Sequence, residues 1–503
     1  MKTPTSPWTP PAIFCRHTRI YFTRVMLAAA GVVSAIGGNT LYASDGSRQT
    51  NHRIFLGQGT MAGEVTSSSA LVQTRLTQGG SLDEAGDLPG ANGCACFEWS
   101  TNEDFRESEF TDVVKASAEN DFIVRCRLSG LKPGTQYFYR VIYGSTSSNM
   151  EKTGAICSFH TLQGEASSRA ARFLVGSCMN YVKFMHGKAG NAGGPITATQ
   201  EDKRLGFPAF VAMRDLTPDF FVGTGDIVYY DNPFRVARSV KELRACWHEQ
   251  FRFPRMIDFF RDVPCYWSKD DHDFRYNDSD NSSDRLPLSG TGIATFREQL
   301  PIAPAGDVTS PNYRTHRVNK HLQIWLTEGR DHRSENNSVD GPEKTMWGVA
   351  QRNWLMQTIT QSDARWKVII SPTPMVGPDD GYKKDNHANQ SGFRYEADEF
   401  FEWVEDGNLE KSVVLICGDR HWQYHSIHPS GVNEFAAGAL NDENSRLGVP
   451  PGAQSGSDPG GRVRQLFTSP RPSGGFLQVV AGESLQVTHF SDDGESLYEV
   501  TLR

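Results

Sequence analysis

The chain has no zinc-finger pattern among its nine cysteines: Cys94 and Cys96 are separated by one residue rather than two, and no second pair follows at finger spacing. It also lacks a basic stripe. With a net charge of -8 over 503 residues, it has no clustered lysine and arginine of the kind that grips a phosphate backbone regardless of sequence, so no nucleic-acid-binding module is expected. No apolar run reaches the roughly 20 residues that a comfortable membrane span needs. No internal repeat is evident.

What is present at the start is a basic stretch with Lys2, Arg16, Arg19 and Arg24, then the small-residue apolar run VMLAAAGVVSAIGG, then LYASDG. That order predicts a secretory signal over residues 1–43, cut after Ala43, or an uncleaved anchor; no adjacent arginine pair supports a twin-arginine route. A secreted, periplasmic or extracellular location follows as an expectation, with no stable membrane span beyond the signal segment. An oxidising compartment would allow disulfides among Cys94, Cys96, Cys126 and Cys157.

A chain of this length exceeds one ordinary core and predicts at least two domains. Over residues 51–162 the apolar pattern comes in short alternating runs, SALVQTRL, FIVRCRL and QYFYRVIY, divided by Gly, Ser, Asn and Pro. This spacing predicts a small all-β sandwich. The segment LSGLKPGTQYFYRV at 128–141 resembles the fibronectin type III pattern, which implies a docking or spacing role. TLQGEASSRAA then reads as a linker. From 171 to 503 buried apolar runs alternate with amphipathic segments, and each run ends in a polar cluster: RFLVGSC, PDFFVGTGDIVYY, HLQIWLTEGR, RWKVIISPTP and SVVLICGDRHW. This is the texture of an α/β layered domain, whose ligands collect where strands end. PEKTMWGVAQRNWLMQTIT has helical spacing, the C-terminal stretch predicts a β-meander with a turn at Asp493–Gly494, and GVPPGAQSGSDPGGR reads as a mobile loop.

The stretch YWSKDDHDFRYND crowds Asp270, Asp271, Asp273 and Asp278 around His272. Neighbouring carboxylates repel, so this is either a solvated acidic loop or one wall of a metal site. Other strand ends supply matching donors: Cys178, then Asp226 and Tyr229 as D-x-x-Y, then Asp419 and His421 in GDRH. Carboxylates suit hard cations and can bridge two of them, phenolate and thiolate suit a ferric ion, and imidazole serves broadly.

Taken in order, GSC, GD-x-x-Y, DDHD, EGRDHRS and GDRH resemble the alkaline phosphatase D (PhoD-like) branch of the calcineurin-like metallophosphoesterases, which also carries a fibronectin-like domain before the catalytic one. The resemblance implies an α/β fold, a four-layer αββα sandwich, and a site holding Fe3+ and Ca2+. By position it makes Cys178, Asp226, Tyr229 and His421 the iron ligands. Asp226 would bridge to calcium, which Asp271 and Asp419 would also bind. His272 becomes the general acid or oxyanion stabiliser, with Asp270 and Asp273 orienting it. Arg330 and Arg333 become phosphate clamps, with Glu328 and His332 standing where Asp and Tyr are usual. His387 and Asn277 are additional site candidates.

The implied activity is metal-dependent hydrolysis of phosphate mono- or diesters, or both, at neutral to alkaline pH. A purple-acid-phosphatase-like enzyme would carry Asn-His in the third motif and His-x-His in the last, where this chain has Asp271–His272 and Asp419-x-His421. A catalytically inactive secreted binding protein on the same fold is the rival from outside enzymology. The loops at 191–197, 278–290 and 441–464 are expected to shape access.

Overall fold

Residues 53–187 and 194–503 of the chain are described by the computed structural model. The expected signal segment lies outside the described residues, as do residues 188–193, which include the start of the access loop at 191–197.

Two sheets face each other, and alternation along each strand decides what lies between them. In the strand Phe220–Thr224, Phe220 and Val222 point inward while Phe221 points outward onto Phe259 and Phe260 of the helix Pro254–Phe260. Val368 and Ile370 of Trp366–Ser371 and Val414 and Ile416 of Val413–Cys417 complete the inner layer from the other sheet. Their alternate neighbours Ile369, Val413 and Leu415 pack outward against Leu355, Ile359 and Phe400 of the helices Gly348–Gln361 and Arg394–Asp406. Each of these buried side chains contributes about 1.5–3 kcal/mol of transfer free energy. The result is four layers, αββα.

The first sheet has nine strands. At its centre Ala171–Gly176, Phe220–Thr224 and Cys265–Ser268 run parallel, and the expected meander, Gly475–Ala481, Leu485–Ser491 and Ser496–Leu502, closes one side. In the second sheet Leu322–Leu326, Trp366–Ser371 and Val413–Cys417 run parallel. Parallel strands end on the same edge, and the two edges meet: the Thr224 hydroxyl donates to the Ser371 carbonyl at 3.1 Å.

The N-terminal β-sandwich has its own core of Val72, Phe97, Val124, Tyr139, Val141 and Phe159. One of its layers, Thr60–Gly63, Ser69–Arg75 and Ile123–Ser129, extends the nine-stranded sheet, because Gly63 pairs with Cys265. The Tyr137 hydroxyl, in the fibronectin-like segment, accepts from the Lys132 amide at 2.9 Å.

Three expectations are corrected. The eight described cysteines are all free; Cys126 and Cys157 fill the sandwich core as small apolar side chains instead of forming disulfides. The amphipathic helix begins at Gly348, because Met346 and Trp347 are drawn into the core ahead of it, where Glu396 accepts from the Met346 amide at 2.8 Å. The Gly/Pro-rich loop is anchored, not loose: Ser457 binds the Asp379 amide at 2.9 Å and Asp458 the Val463 amide at 2.8 Å.

Candidate metal centre

Cys178, Asp226, Asp271 and Asp419 each follow the C-terminal end of a parallel strand. Three of them have left-handed backbone, with φ of 53° at Cys178, 54° at Asp226 and 60° at Asp419. Such strain costs on the order of 1–3 kcal/mol per residue and persists where surrounding structure enforces it. The glycines of the two GD pairs explain part of that enforcement. A Cβ at Gly225 would lie 2.6 Å from the Cβ of Asp270, and one at Gly418 would lie 2.3 Å from the Thr224 carbonyl oxygen. Only glycine lets these turns close enough to aim the acids at one point.

Two main donor groups share Asp226. Cys178, Asp226 and His421 offer ligand atoms within 4.8 Å of one another, as do Asp226, Asp270, Asp271 and Asp419, and a third, overlapping set joins His272 to Asp226 and Asp271. Tyr229 joins the first group, its hydroxyl 3.5 Å from Asp226 Oδ2, which also lies 3.5 Å from Cys178 Sγ. Asn444 fixes this side by donating to the Tyr229 hydroxyl at 3.1 Å and to the Cys178 carbonyl at 3.0 Å. Burial and then the Asp271 charge push the Asp226 carboxyl well above its usual range, and burial followed by Asp226 does the same to the Cys178 thiol. Asp270 keeps one buried oxygen without a partner. A protein interior does not gather these groups without cations. The donor set fits two of them: thiol, phenol and imidazole on one side of Asp226, a carboxylate cluster with His272 beside it on the other.

His272 sits beside the shared acid. Its backbone amide donates to Asp271 at 3.0 Å and to Asp226 at 3.3 Å, and its ring lies 4.1 Å from that of Tyr229. Asp231 holds Nδ1 at 2.6 Å and is itself fixed by the Asn277 amide at 2.9 Å. That leaves Nε2 for the cleft. Orientation of His272 therefore falls to Asp231, correcting the assignment to Asp270 and Asp273. Asp270 belongs to the carboxylate group, and Asp273 accepts from the Asp270 and Ile227 amides at 2.7 and 3.0 Å.

The two arginines expected to clamp phosphate are placed elsewhere. Arg330 is fully buried, with Asp270 at 2.6 Å, the Ser279 carbonyl at 2.9 Å and Asp385 at 3.3 Å around its guanidinium. Arg333 donates to the Gly329 carbonyl at 2.6 Å, to Asn336 at 3.0 Å and to the Asp385 carbonyl at 3.0 Å. Neither lines the cleft, because buried acceptors consume both forks. Glu328 pairs with Lys269 at 2.5 Å in the same interior network. His387 is also buried, 3.0 Å from Glu396 and packed on Trp347, away from both donor groups, so it is no metal ligand.

The cleft over the donors has a volume of about 750 Å³. Tyr229, His272, Asn277, Asp419 and His421 line it, together with four cations absent from the sequence-based assignment: Lys183, Lys383, Arg420 and Arg446. Arg420 pairs with Asp379 and Asp419, and Lys383 with Asp278. Asp231 was the easiest omission to avoid, since it lies only five residues past Asp226, at the start of the short strand Asp231–Asn232. Asn444 and Arg446 come from the loop expected to shape access.

A four-layer αββα sandwich with shared-acid donor groups at the strand ends defines a metallophosphoesterase. Residues 173–449 match the PhoD-like phosphatase family, and residues 42–160 match its N-terminal domain. The chain belongs to the PhoD-like phosphatase family and is a metal-dependent hydrolase of phosphoester bonds. No curated protein matches it. Among solved structures, one described as that of PhoD is 17% identical, covers 89% of each chain and has a TM-score of 0.67. A purple acid phosphatase from yellow lupin (Lupinus luteus) seeds is 13% identical, covers 88% of this chain and 73% of its own, and has a TM-score of 0.56. At these identities the likeness concerns the fold. Among the described residues no helix is long and apolar enough to cross a membrane.

Proposed function

We propose that this chain is a secreted or periplasmic phosphoesterase that hydrolyses phosphate monoesters, diesters or both, with Fe3+ held by Cys178, Asp226, Tyr229 and His421 and Ca2+ held by Asp226, Asp270, Asp271 and Asp419. The observation that carries the reading is the asymmetry about Asp226, with thiol, phenol and imidazole on one side and, on the other, a carboxylate cluster beside which His272 stands. When bound, such ions supply a water of lowered pKa and neutralise charge on the phosphoryl oxygens. The chain's own contribution is position and proton transfer. Asp231 keeps the His272 ring turned so that Nε2 meets the ester oxygen that departs. Protonated there, His272 gives its proton to that oxygen as the P–O bond breaks, and the Asp231 carboxylate stabilises the cationic ring beforehand. Asn277, which lines the cleft, donates to a phosphoryl oxygen in this reading.

The test uses two phosphate esters that differ in leaving group. His272→Gln should lower turnover of an alkyl ester about a hundredfold and that of a p-nitrophenyl ester much less, because nitrophenolate departs without a proton. Equal losses on both esters would remove the general-acid role.

A further inference from the structure

Lys183 and Arg446 both line the cleft over the donor groups. Lys183 projects from the helix Tyr181–His186, whose first turn is fixed by Asn180 accepting from the Lys183 amide at 3.0 Å. Among the described residues its ammonium has no ion-pair partner. Arg446 is more constrained: its guanidinium lies 4.3 Å from the Trp422 ring centroid, Asp380 binds its Nη2 at 2.5 Å, and its amide donates to the His421 carbonyl at 2.9 Å. Both charges, with those of Arg420 and His272, bear on His421, and that of Arg446 bears on Lys183, in keeping with the hydrogen bond that ties the Arg446 backbone to His421. His272 and Asn277 line the same cleft.

Arg446 has Asp380 as its ion-pair partner, whereas the Lys183 ammonium faces the cleft without one, so it is left to cleft water until an anion enters. A scissile phosphoryl group resting on the metal donors fills a small part of a 750 Å³ cleft, a volume in the range of whole drug-sized ligands. We infer that Lys183 and Arg446 form a subsite for a second anionic group of the substrate, a phosphate or carboxylate a few bonds from the scissile phosphorus. Arg446, held flat by Trp422, offers a guanidinium edge to two oxygens, and Lys183 adds a point charge beside it. The substrate class is then a phosphoester that carries a further anion, as in a chain of phosphodiesters or a phosphorylated acid. This inference rests on the phosphoesterase reading.

The test is calorimetric binding to the metal-loaded full chain, which needs no turnover. Propane-1,3-diphosphonate and 3-phosphonopropionate are compared with propylphosphonate, which has one anionic group only. The dianchored probes should bind about tenfold more tightly, the worth of one charged hydrogen-bonded contact. Lys183→Gln should erase that ratio and Lys183→Arg should keep most of it, while Arg446→Gln provides an independent second disruption. Whichever two-headed probe shows the larger ratio identifies the second group as phosphate or carboxylate. Equal binding of all three probes to the wild type would overturn the subsite. So would a Lys183→Gln variant that weakens propylphosphonate by the same factor, since the lysine would then hold the scissile group. Failure of the phosphoesterase reading is separate: it appears as absence of turnover on simple aryl esters.

Discussion

The cluster around Asp226 and the segment Glu328–Arg333 both lie at strand ends, both are buried and both are rich in charge, yet they differ in balance. Around Arg330 every guanidinium edge meets an acceptor, and Glu328 and Asp331 share Lys269, each at 2.5 Å. Around Asp226 the acids outnumber the cations, and the backbone is held left-handed at three positions. Balanced buried charge is scaffold, whereas unbalanced buried charge with local strain marks where an outside ion is required.

The comparison can be broken most directly at its unbalanced end. Asp226→Asn removes the acid shared by both donor groups and should lower turnover by more than the roughly 10–100-fold that loss of an outer partner costs a metal site, with bound metal falling in parallel by elemental analysis. A folded variant with wild-type turnover would put the reaction elsewhere. At the balanced end, Arg330→Gln leaves Asp270 and Asp385 without their cation and should cost about 3–5 kcal/mol of stability, read as a lowered denaturation midpoint. In the fraction that stays folded, metal affinity should fall because Asp270 loses its partner, but with metal saturating the KM for an aryl phosphate should hold near wild type, because the side chain does not reach the cleft; a large rise would restore the phosphate-clamp role.

A third charged site sharpens the contrast. Glu64, where the sandwich joins the catalytic sheet, pairs with Arg314 at 2.6 Å and His316 at 3.1 Å. Burial alone would push its carboxyl up, but the Arg314 charge and the His316 contact hold it down at about 2, against an ordinary 4.5. A carboxyl held down stabilises the fold fully above its ordinary pKa, and that contribution fades as pH falls toward about 2. Its upper size is about 3 kcal/mol. Glu64→Gln should therefore be less stable than wild type at pH 6, with the gap in denaturation midpoint narrowing below about pH 4.5 and closing only near pH 2. A gap that stays constant with pH would mean that the pair contributes nothing through charge.

Much of the layering was legible because it is local. Alternation and strand-end polar clusters marked Phe220–Thr224, Val413–Cys417 and the ligands that follow them within a few residues. What escaped depends on contacts distant in sequence. Nothing near Gly63 announces its pairing with Cys265, so the continuity of the sandwich with the catalytic sheet was hidden. Arg330 and Arg333 looked like anion clamps because their motif shows charge but not the acids that Asp270 and Asp385 bring from elsewhere. Lys183, Asn444 and Arg446 reach the cleft from segments with no chemistry of their own in the sequence. Asp231 was within reach, five residues past Asp226, but its role depends on where the His272 ring turns.

The central claim is that the mixed donor group beside Asp226 holds a metal ion, and a visible spectrum of the purified protein with elemental analysis, set beside that of Tyr229→Phe, tests it most directly. The account predicts bound iron and a tyrosinate-to-iron charge-transfer band in the wild type that disappears in the variant. A folded wild-type protein that binds no metal, or an iron band unchanged by Tyr229→Phe, would contradict it.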